Sequence, residues 1–514
     1  MPDSPLDPSS EHLPDNLKEC HELITALRQE IRRLLSLEDI VKQLQEQVAE
    51  LQKQVRRRNR MIFGKSSARV KASNLTGTGK EVYDHHAAQL QDEPSNGEKL
   101  KETKHGGGGR TATTAGAQAP REVHHEINDE SKLACAECGE LRRKIGFEAS
   151  HQLEFLDSAL ELLKHIQFKY ACSKCDAHVV TAEKPSQPIA KGLAGPGLIA
   201  HTGRAKYDWH QPLYRQERIY KAQGRNLARS TLCRILKEGA DLLDIIAQRM
   251  LLHIKNSRIV LSDATGMPVI KKGLGHVHNG CIWIFGDEKY SFYEFSETKG
   301  GEHPSRTLKG YTGVLLTDGA QVYNGITKKK AGCSAHAFRY FEDARKEDPV
   351  NADYALAMFK SLFDIERHAA NFSEQDRKEI RARLSKPILN QLKYWLDEQI
   401  VIPKTAMGEA VTYCKNQWDA LAYFADTGFV PIHNNQSENG LRPTVLGKKN
   451  WLFAGSIEGG HTAATWMTIV QTCRRHEIDP FVYLKDVFTR MPAARTSEID
   501  QFLPDKWKEL QNKK

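Results

Sequence analysis

Four short apolar runs constrain the C-terminal half of this 514-residue chain: RIVLSD (258–263), GCIWIFGD (280–287), YSFYEFSE (290–297) and GVLLTDG (313–319). Each is rich in β-branched and aromatic residues and is punctuated by glycine or charge, the pattern of buried strands joined by turns. Aspartates stand near the C-terminal ends of three of these runs, and of them Asp263 and Asp318 are the candidates. An apolar strand ending this way sets a carboxylate on the rim of a sheet, held by buried backbone. The sequence then turns helical through AHAFRYFEDARKED, YALAMFKSLFDIERHAAN, KPILNQLKYWLDEQIV and EAVTYCKNQWDALAYF. It next reaches PIHNNQSENGLRPTVLGKKNWLFAGS, where Glu438 opens a polar patch. Three such carboxylates suit hard divalent cations, which prefer oxygen ligands. Two metals held together stabilise both the entering and the leaving oxygen of a phosphoryl displacement. The plainer reading of each carboxylate is a strand-end or helix-cap residue.

Upstream, a heptad pattern runs over residues 17–58. Leu27, Leu34, Val41, Val48 and Val55 fall at a, and Leu37, Leu44 and Leu51 at d. Cys20 and Leu23 extend the seam backwards, and Glu30 interrupts it. A 3.5-residue apolar period with charged flanks predicts a coiled coil and self-association; the alternative is one amphipathic helix packed on its own protein. A basic run follows, with Arg56, Arg57, Arg58, Arg60, Lys65 and Arg69 and no acid among them, a candidate for phosphate contact or simply a solvated face. The rest of 59–122 is Gly, Thr, Ala and Lys rich and reads as a flexible linker. The next unit, 123–185, carries Cys135-Ala-Glu-Cys138 and Cys172-Ser-Lys-Cys175, with 33 residues between the pairs. Two CxxC pairs let four thiolates close around one structural zinc ion, and strand-like residues between them suggest a zinc ribbon on a long hairpin. Free or redox-active thiols are the alternative. Residues 190–255 read as helices about a turn at Gly224, the second opened by Ser230 or Thr231. This resembles a helix-turn-helix, with Arg225, Arg229 and Arg234 as candidates to face DNA.

Composition narrows the class. Lys and Arg number 74 against 65 Asp and Glu, a net charge of +9 that permits a polyanionic partner without identifying one. No stretch approaches the ~18 apolar residues of a bilayer span. The N-terminal MPDSPLDPSSEHLPD lacks a signal-peptide apolar core, so a membrane or secreted protein is not expected. Six of the ten cysteines are scattered singly, which argues for a reducing compartment and against a disulfide framework.

The order strand, strand, helix among the three carboxylates is the one a ribonuclease-H-like fold requires. Together with Asp263-Ala-Thr265, Thr317-Asp318-Gly319, Tyr323-Asn324 and Cys333-Ser-Ala-His336, the stretch Asn434-Asn435-Gln-Ser-Glu438 resembles transposases of the insertion-sequence-66 family, a bacterial DDE group. The block Gly447-Lys448-Lys449-Asn450-Trp451-Leu452-Phe453-Ala454-Gly455-Ser456 is similar to a family hallmark. So are Asp479-Pro480-Phe481-Val482-Tyr483-Leu484, Lys206-Tyr207, and Pro212-Leu213-Tyr214-Arg215-Gln216-Glu217. The order of coiled coil, Phe63-Gly64-Lys65-Ser66-Ser67 and four-cysteine module also matches, so the likeness covers nearly the whole chain.

The resemblance implies a multidomain α+β protein. A coiled coil, zinc ribbon and helix-turn-helix-like region would precede a ribonuclease-H-like catalytic domain over 256–460, with a helical insertion at about 335–428 and a C-terminal helical region over 461–514. It implies binding to terminal inverted repeats, then cleavage and strand transfer into target DNA with Mg2+ or Mn2+ held by Asp263, Asp318 and Glu438. Accessory proteins of the same element and a cytoplasmic, nucleoid-associated location are further implications. Arg442, Lys448 and Lys449 become candidate DNA contacts; Arg442, four residues past Glu438, is also a candidate to orient it. Two departures stand out: Ala264 where the family more often has Glu, and His433 where it often has Asp. His433 is read as structural rather than as a phosphate contact, and Cys333 with His336 as local packing or DNA contact. The rival readings are a DNA-binding regulator with an inactive catalytic domain, and a nuclease of the same fold.

Overall fold

The computed structural model describes residues 121–156, 159–172, 179–189, 192–271 and 276–512. The heptad segment 17–58, the basic residues Arg56, Arg57, Arg58, Arg60 and Lys65, and Cys175 lie outside the described residues. Two sheets are present among the described residues. In the first, β2 (Arg142–Leu156) and β3 (Ala159–Cys172) pair antiparallel from Arg142 opposite Cys172 to Leu156 opposite Ala159. β1 (Arg121–His125) joins β3 in parallel and β4 (Val180–Thr181) joins it antiparallel. This long hairpin accommodates the wide gap between the cysteine pairs, because it returns Cys172 to the start of β2.

The far end of the hairpin docks on α1 (Pro196–Tyr207), where the Phe155 ring stacks on His201 at 3.6 Å between centroids. α2 (Leu213–Ala222) turns at Gly224, whose φ of +77° a glycine adopts without strain, into α3 (Arg229–Lys255). Leu232, Ile235, Leu236, Leu243, Ile246 and Met250 form the buried stripe of α3 at helical spacing. The helix starts ahead of the Ser230 or Thr231 start expected from sequence, following Ala228. A carboxylate from α2 does the capping, since Glu217 Oε1 accepts the Arg229 N–H at 3.0 Å.

The second sheet has the order β7-β6-β5-β8-β9, with β5 (Ile259–Ile270), β6 (Val277–Gly286) and β7 (Ser291–Ser296) antiparallel. β8 (Val314–Thr317) and β9 (Lys330–Gly332) continue it in parallel beyond β5. β5 does not stop at Asp263, as the apolar run suggested. β6 keeps pairing it as far as Ile270, and Ala454 takes up the side that β8 leaves, donating to the Pro268 carbonyl at 2.8 Å and accepting from Ile270 at 2.9 Å.

The two faces bury different cores. Ile259, Leu261, Val314 and Leu316 pack under four helices, α4 (Ser334–Ala344), α5 (Pro349–His368), α6 (Lys386–Glu398) and α7 (Ala406–Asn416). Val260 and Leu315 face a core shared by α1, α3, α9 (Ile457–Arg475) and α10 (Pro480–Arg490). α8 (Asn435–Trp451) lies along β5. Trp466 of α9 is fully buried and donates its indole N–H to the Leu236 carbonyl at 2.8 Å. A Cβ at Gly203 would sit 2.1 Å from that ring, so glycine there lets α1 and α9 meet. On the free edge of β7, the hydroxyls of Thr472 and Thr468 accept the Ser291 and Tyr293 N–H groups at 3.2 and 2.9 Å, closing an edge open to pairing.

Burial, reinforced by the Arg204 charge, pulls the His201 imidazole down from 6.5 to about 4. The unfolded chain therefore takes up a proton as pH falls through 6.5, which the folded chain refuses until about 4, so stability held above 6.5 is lost on acidification. His201→Phe, which keeps the ring on Phe155, is expected to remove about 1–2 kcal/mol of the loss between neutral pH and about pH 5. Urea denaturation of both proteins across that range measures it; parallel pH profiles would contradict it.

Candidate active site

Asp263 and Asp318 come together through strand register. Ile259, Val260 and Leu261 pair with Val314, Leu315 and Leu316, so two further residues along each strand set Asp263 level with Asp318. Neighbouring strands lie ~4.8 Å apart. Asp263 keeps the alternation of Ile259 and Leu261 and so faces the α4–α7 side of the sheet. Its Oδ1 accepts the Ala264 N–H at 2.7 Å, and the Asp318 Oδ1 accepts the Ala320 N–H at 2.9 Å across a turn in which Gly319 has φ +82°. Tyr413 of α7 donates its hydroxyl to the Asp318 carbonyl at 2.9 Å.

Glu438 arrives on the first turn of α8. Asn434, fully buried, fixes that turn: its Nδ2 donates to the Ser262 carbonyl at 2.8 Å, and its backbone N–H to the Cys333 Sγ at 3.2 Å. The Glu438 carboxylate faces α4. Oε2 pairs with Arg339, while Oε1 lies 3.4 Å from the His336 Nδ1 and 4.0 Å from the Cys333 Sγ. Arg339 Nη1 also reaches the His336 Nε2 at 3.4 Å, while the His336 Nδ1 makes no hydrogen bond among the described residues. Burial lowers the His336 pKa and pushes the Cys333 thiol up to about 12, so both stay neutral. Arg442, by contrast, is exposed on the next turn with no partner among the described residues. It is therefore Arg339 that orients Glu438. The spacing of Cys333, His336 and Arg339 by three, on one helical face, was the sequence signal for this cluster.

Electrostatics couples Asp263 to the other two carboxylates. The Asp263 pKa is raised to about 8, first by burial, then by the Asp318 charge, with Glu438 adding to the rise and the Ala264 N–H and Lys299 opposing it. Hard cations relieve such mutual repulsion, so the donor set fits Mg2+ or Mn2+. Among the described residues, two groups of three possible ligands have their ligand atoms within 4.8 Å of one another: Cys333, His336 and Glu438, and Cys135, Cys138 and Cys172.

The second group makes a thiol cluster. Cys135 and Cys138 sit on a knuckle where the Gly139 N–H bonds the Cys135 carbonyl at 2.9 Å, with Gly139 at φ +71°. The β2–β3 register delivers Cys172, whose Sγ lies 3.3 Å from that of Cys138. Three converging thiols, two of them buried, fit a structural zinc ion.

The other candidate residues are dispersed. Arg229 is exposed and pairs with Glu217 at 3.3 Å, and Arg225 lies in the turn just past Gly224. Lys448 is half-buried and donates to the Thr265 hydroxyl at 3.2 Å and to the Gly266 carbonyl, tying α8 to β5; Lys449 is exposed. His433 packs against Phe363, 6.3 Å between centroids, and its Nδ1 has no hydrogen-bond partner among the described residues.

A mixed α/β body with two sheets, one edged by these carboxylates, fits a ribonuclease-H-like transposase. Residues 191–462 match the transposase IS66 family, residues 468–504 the IS66 C-terminal element, and residues 132–176 the zinc-finger binding domain of transposase IS66. The first match alone covers more than half of the chain, which therefore belongs to the IS66 transposase family. Among similar proteins of Sinorhizobium fredii, uncharacterized protein y4jD is 27% identical, over 91% of this chain and 96% of its own length. Uncharacterized protein y4hP is 29% identical over 76% of each chain. No helix among the described residues is long and apolar enough to cross a membrane.

Removing one partner of a part-buried ion pair strands the other. Arg339→Met is expected to destabilise the metal-free protein by about 1–3 kcal/mol. Adding Glu438→Gln should return part of that loss, as measured by a double-mutant cycle in urea. Strictly additive losses would contradict the pairing.

Proposed function

We propose that this transposase binds the terminal inverted repeats of its own insertion sequence and catalyses metal-dependent cleavage and strand transfer, with Asp263, Asp318 and Glu438 as the metal-holding carboxylates. The observation that carries this is the parallel register that levels Asp263 with Asp318, with Glu438 close enough for its charge and that of Asp318 both to act on Asp263. Asp263 and Asp318 would hold one Mg2+ or Mn2+ between adjacent strands, and Glu438 would complete a second position. Bound there, such ions activate a hydroxyl nucleophile and stabilise the entering and leaving oxygens of an in-line displacement.

The chain's own groups orient that chemistry. Arg339 holds the Glu438 Oε2, and Asn434 fixes the turn from which Glu438 projects. In the first step a water oxygen bonds to the phosphorus at the element end, the P–O3′ bond breaks, and a 3′-hydroxyl is released. In the second, that 3′-oxygen bonds to a target phosphorus and displaces the target's own 3′-oxygen. The zinc-ribbon module, the helices around Gly224 and the cations Arg225, Arg229, Arg442, Lys448 and Lys449 supply DNA grip, joined by Arg56, Arg57, Arg58, Arg60 and Lys65. Phosphate contacts position the duplex while base contacts specify the repeat. The coiled coil 17–58 pairs protomers so that both element ends react together, with accessory proteins of the element as further partners. DNA as the substrate places the work in the bacterial cytoplasm, at the nucleoid.

The test uses the full chain, labelled element ends, a supercoiled target and Mg2+ or Mn2+. Asp318→Ala and Glu438→Ala are each expected to lower joining by about a hundredfold or more while end binding survives. Binding without chemistry in the wild type, unchanged by accessory proteins, would instead favour a regulator. Cutting without joining would favour a nuclease.

A further inference from the structure

α8 starts beside the carboxylates and ends at a cavity that the chemistry described so far does not use. Its volume is about 370 Å³, and it is walled by the rings of Tyr207, Trp451 and Phe453 and by Met267 of β5. The left-handed turn at Leu452 (φ +64°) precedes Phe453 and the Ala454 bridge to β5, so the cavity is tied to the strand that bears Asp263.

Two cations line it without a carboxylate partner among the described residues. The Lys206 ammonium sits 5.6 Å from the Tyr207 ring centroid and 5.9 Å from that of Trp451, and burial pulls its pKa below the ordinary lysine value. Arg234 is exposed on the α3 side. Lys237 also lines the cavity but is paired with Asp241 at 2.8 Å, and Glu458 is the one carboxylate in the lining.

These features ask for one kind of occupant. A half-buried ammonium with no carboxylate partner is costly, and an anion supplies what it lacks. Tyr207 is buried and stacked on Trp466, but the half-buried Trp451 and the exposed Phe453 offer ring surface that a flat π-face satisfies. A simple anion leaves the rings unused, and a neutral apolar ligand leaves Lys206 uncompensated; a nucleotide uses both. Position agrees: Met267 is four residues along β5 from Asp263, about 13 Å at strand rise. That is roughly the rise of four base pairs of duplex. A base can enter such a pocket only by leaving the stack.

We propose that this cavity receives one base flipped out of the DNA end, about four base pairs from the reacting bond, with its phosphate on Lys206 and Arg234. The assignment rests on the DNA reading given above and names a contact within it. Phe453 and Lys206 then discriminate a deformable end sequence from other DNA, at a distance from the carboxylates.

The test measures binding of the zinc-loaded full chain to element-end duplexes. A single abasic nucleotide is moved one position at a time inward from the cleavage site. Phe453→Ala and Lys206→Gln are each expected to weaken binding to the intact end about tenfold. At one position, near the fourth base pair, the abasic nucleotide should abolish the Phe453→Ala penalty, because the base that stacked there is gone. Folding of both variants is checked by circular dichroism and zinc content. Variants that bind as tightly as wild type, or a penalty that persists at every abasic position, would overturn the proposal. If wild type joins ends normally in that case, only the cavity assignment falls. A wild type that neither binds nor joins element ends removes both.

Discussion

The parallel pairing of β5 with β8 is the interaction on which the rest of the site depends. Three residue pairs, from Ile259 with Val314 to Leu261 with Leu316, set the level at which Asp263 and Asp318 meet. A slip of one residue would turn one aspartate to the opposite face of the sheet. The register is protected by what each face buries: Leu261 and Leu316 lie under the α4–α7 helices, while Val260 and Leu315 lie in the core shared with α1, α3, α9 and α10. Exchanging the faces would expose both sets, so the hydrophobic layers hold the carboxylates together against their own repulsion.

That repulsion is visible in Asp263, whose pKa is raised to about 8 by burial and then by Asp318. The fold accommodates these crowded carboxyl groups because the neighbouring elements are pinned elsewhere. Asn434 ties the start of α8 to β5, Lys448 ties it again a few turns later, and Arg339 holds the third carboxylate from α4. At the opposite side of the body, Trp466 seats against Gly203 and Gly239, and the Thr468 and Thr472 hydroxyls seal the β7 edge. Packed layers on both faces leave Asp263 and Asp318 on the rim between them.

Much of this was legible from residue patterns. The four apolar runs marked β5 to β8, and the aspartates within them marked the rim. The two CxxC pairs pointed to converging thiols, of which Cys135, Cys138 and Cys172 are brought together by the β2–β3 hairpin. What the pattern missed depends on partners distant in sequence. β5 runs on to Ile270 because β6 and Ala454 extend its pairing, which an apolar run cannot reveal. α3 starts at Arg229 because Glu217 caps it from another helix. Arg339 rather than Arg442 faces Glu438, because α4 lies against the first turn of α8 while Arg442 points to solvent. Local spacing offered Arg442, Ser230 and Thr231 for two of these contacts; packing between elements chose other residues.

The most direct measurement is anomalous diffraction from crystals of the full chain equilibrated with Mn2+. A peak is expected between the Asp263 and Asp318 carboxylates, with a second within reach of the Glu438 Oε1, and both should vanish in Asp318→Asn. Manganese bound elsewhere, with no density between the two aspartates at saturating concentration, would contradict the assignment of this rim as the metal site.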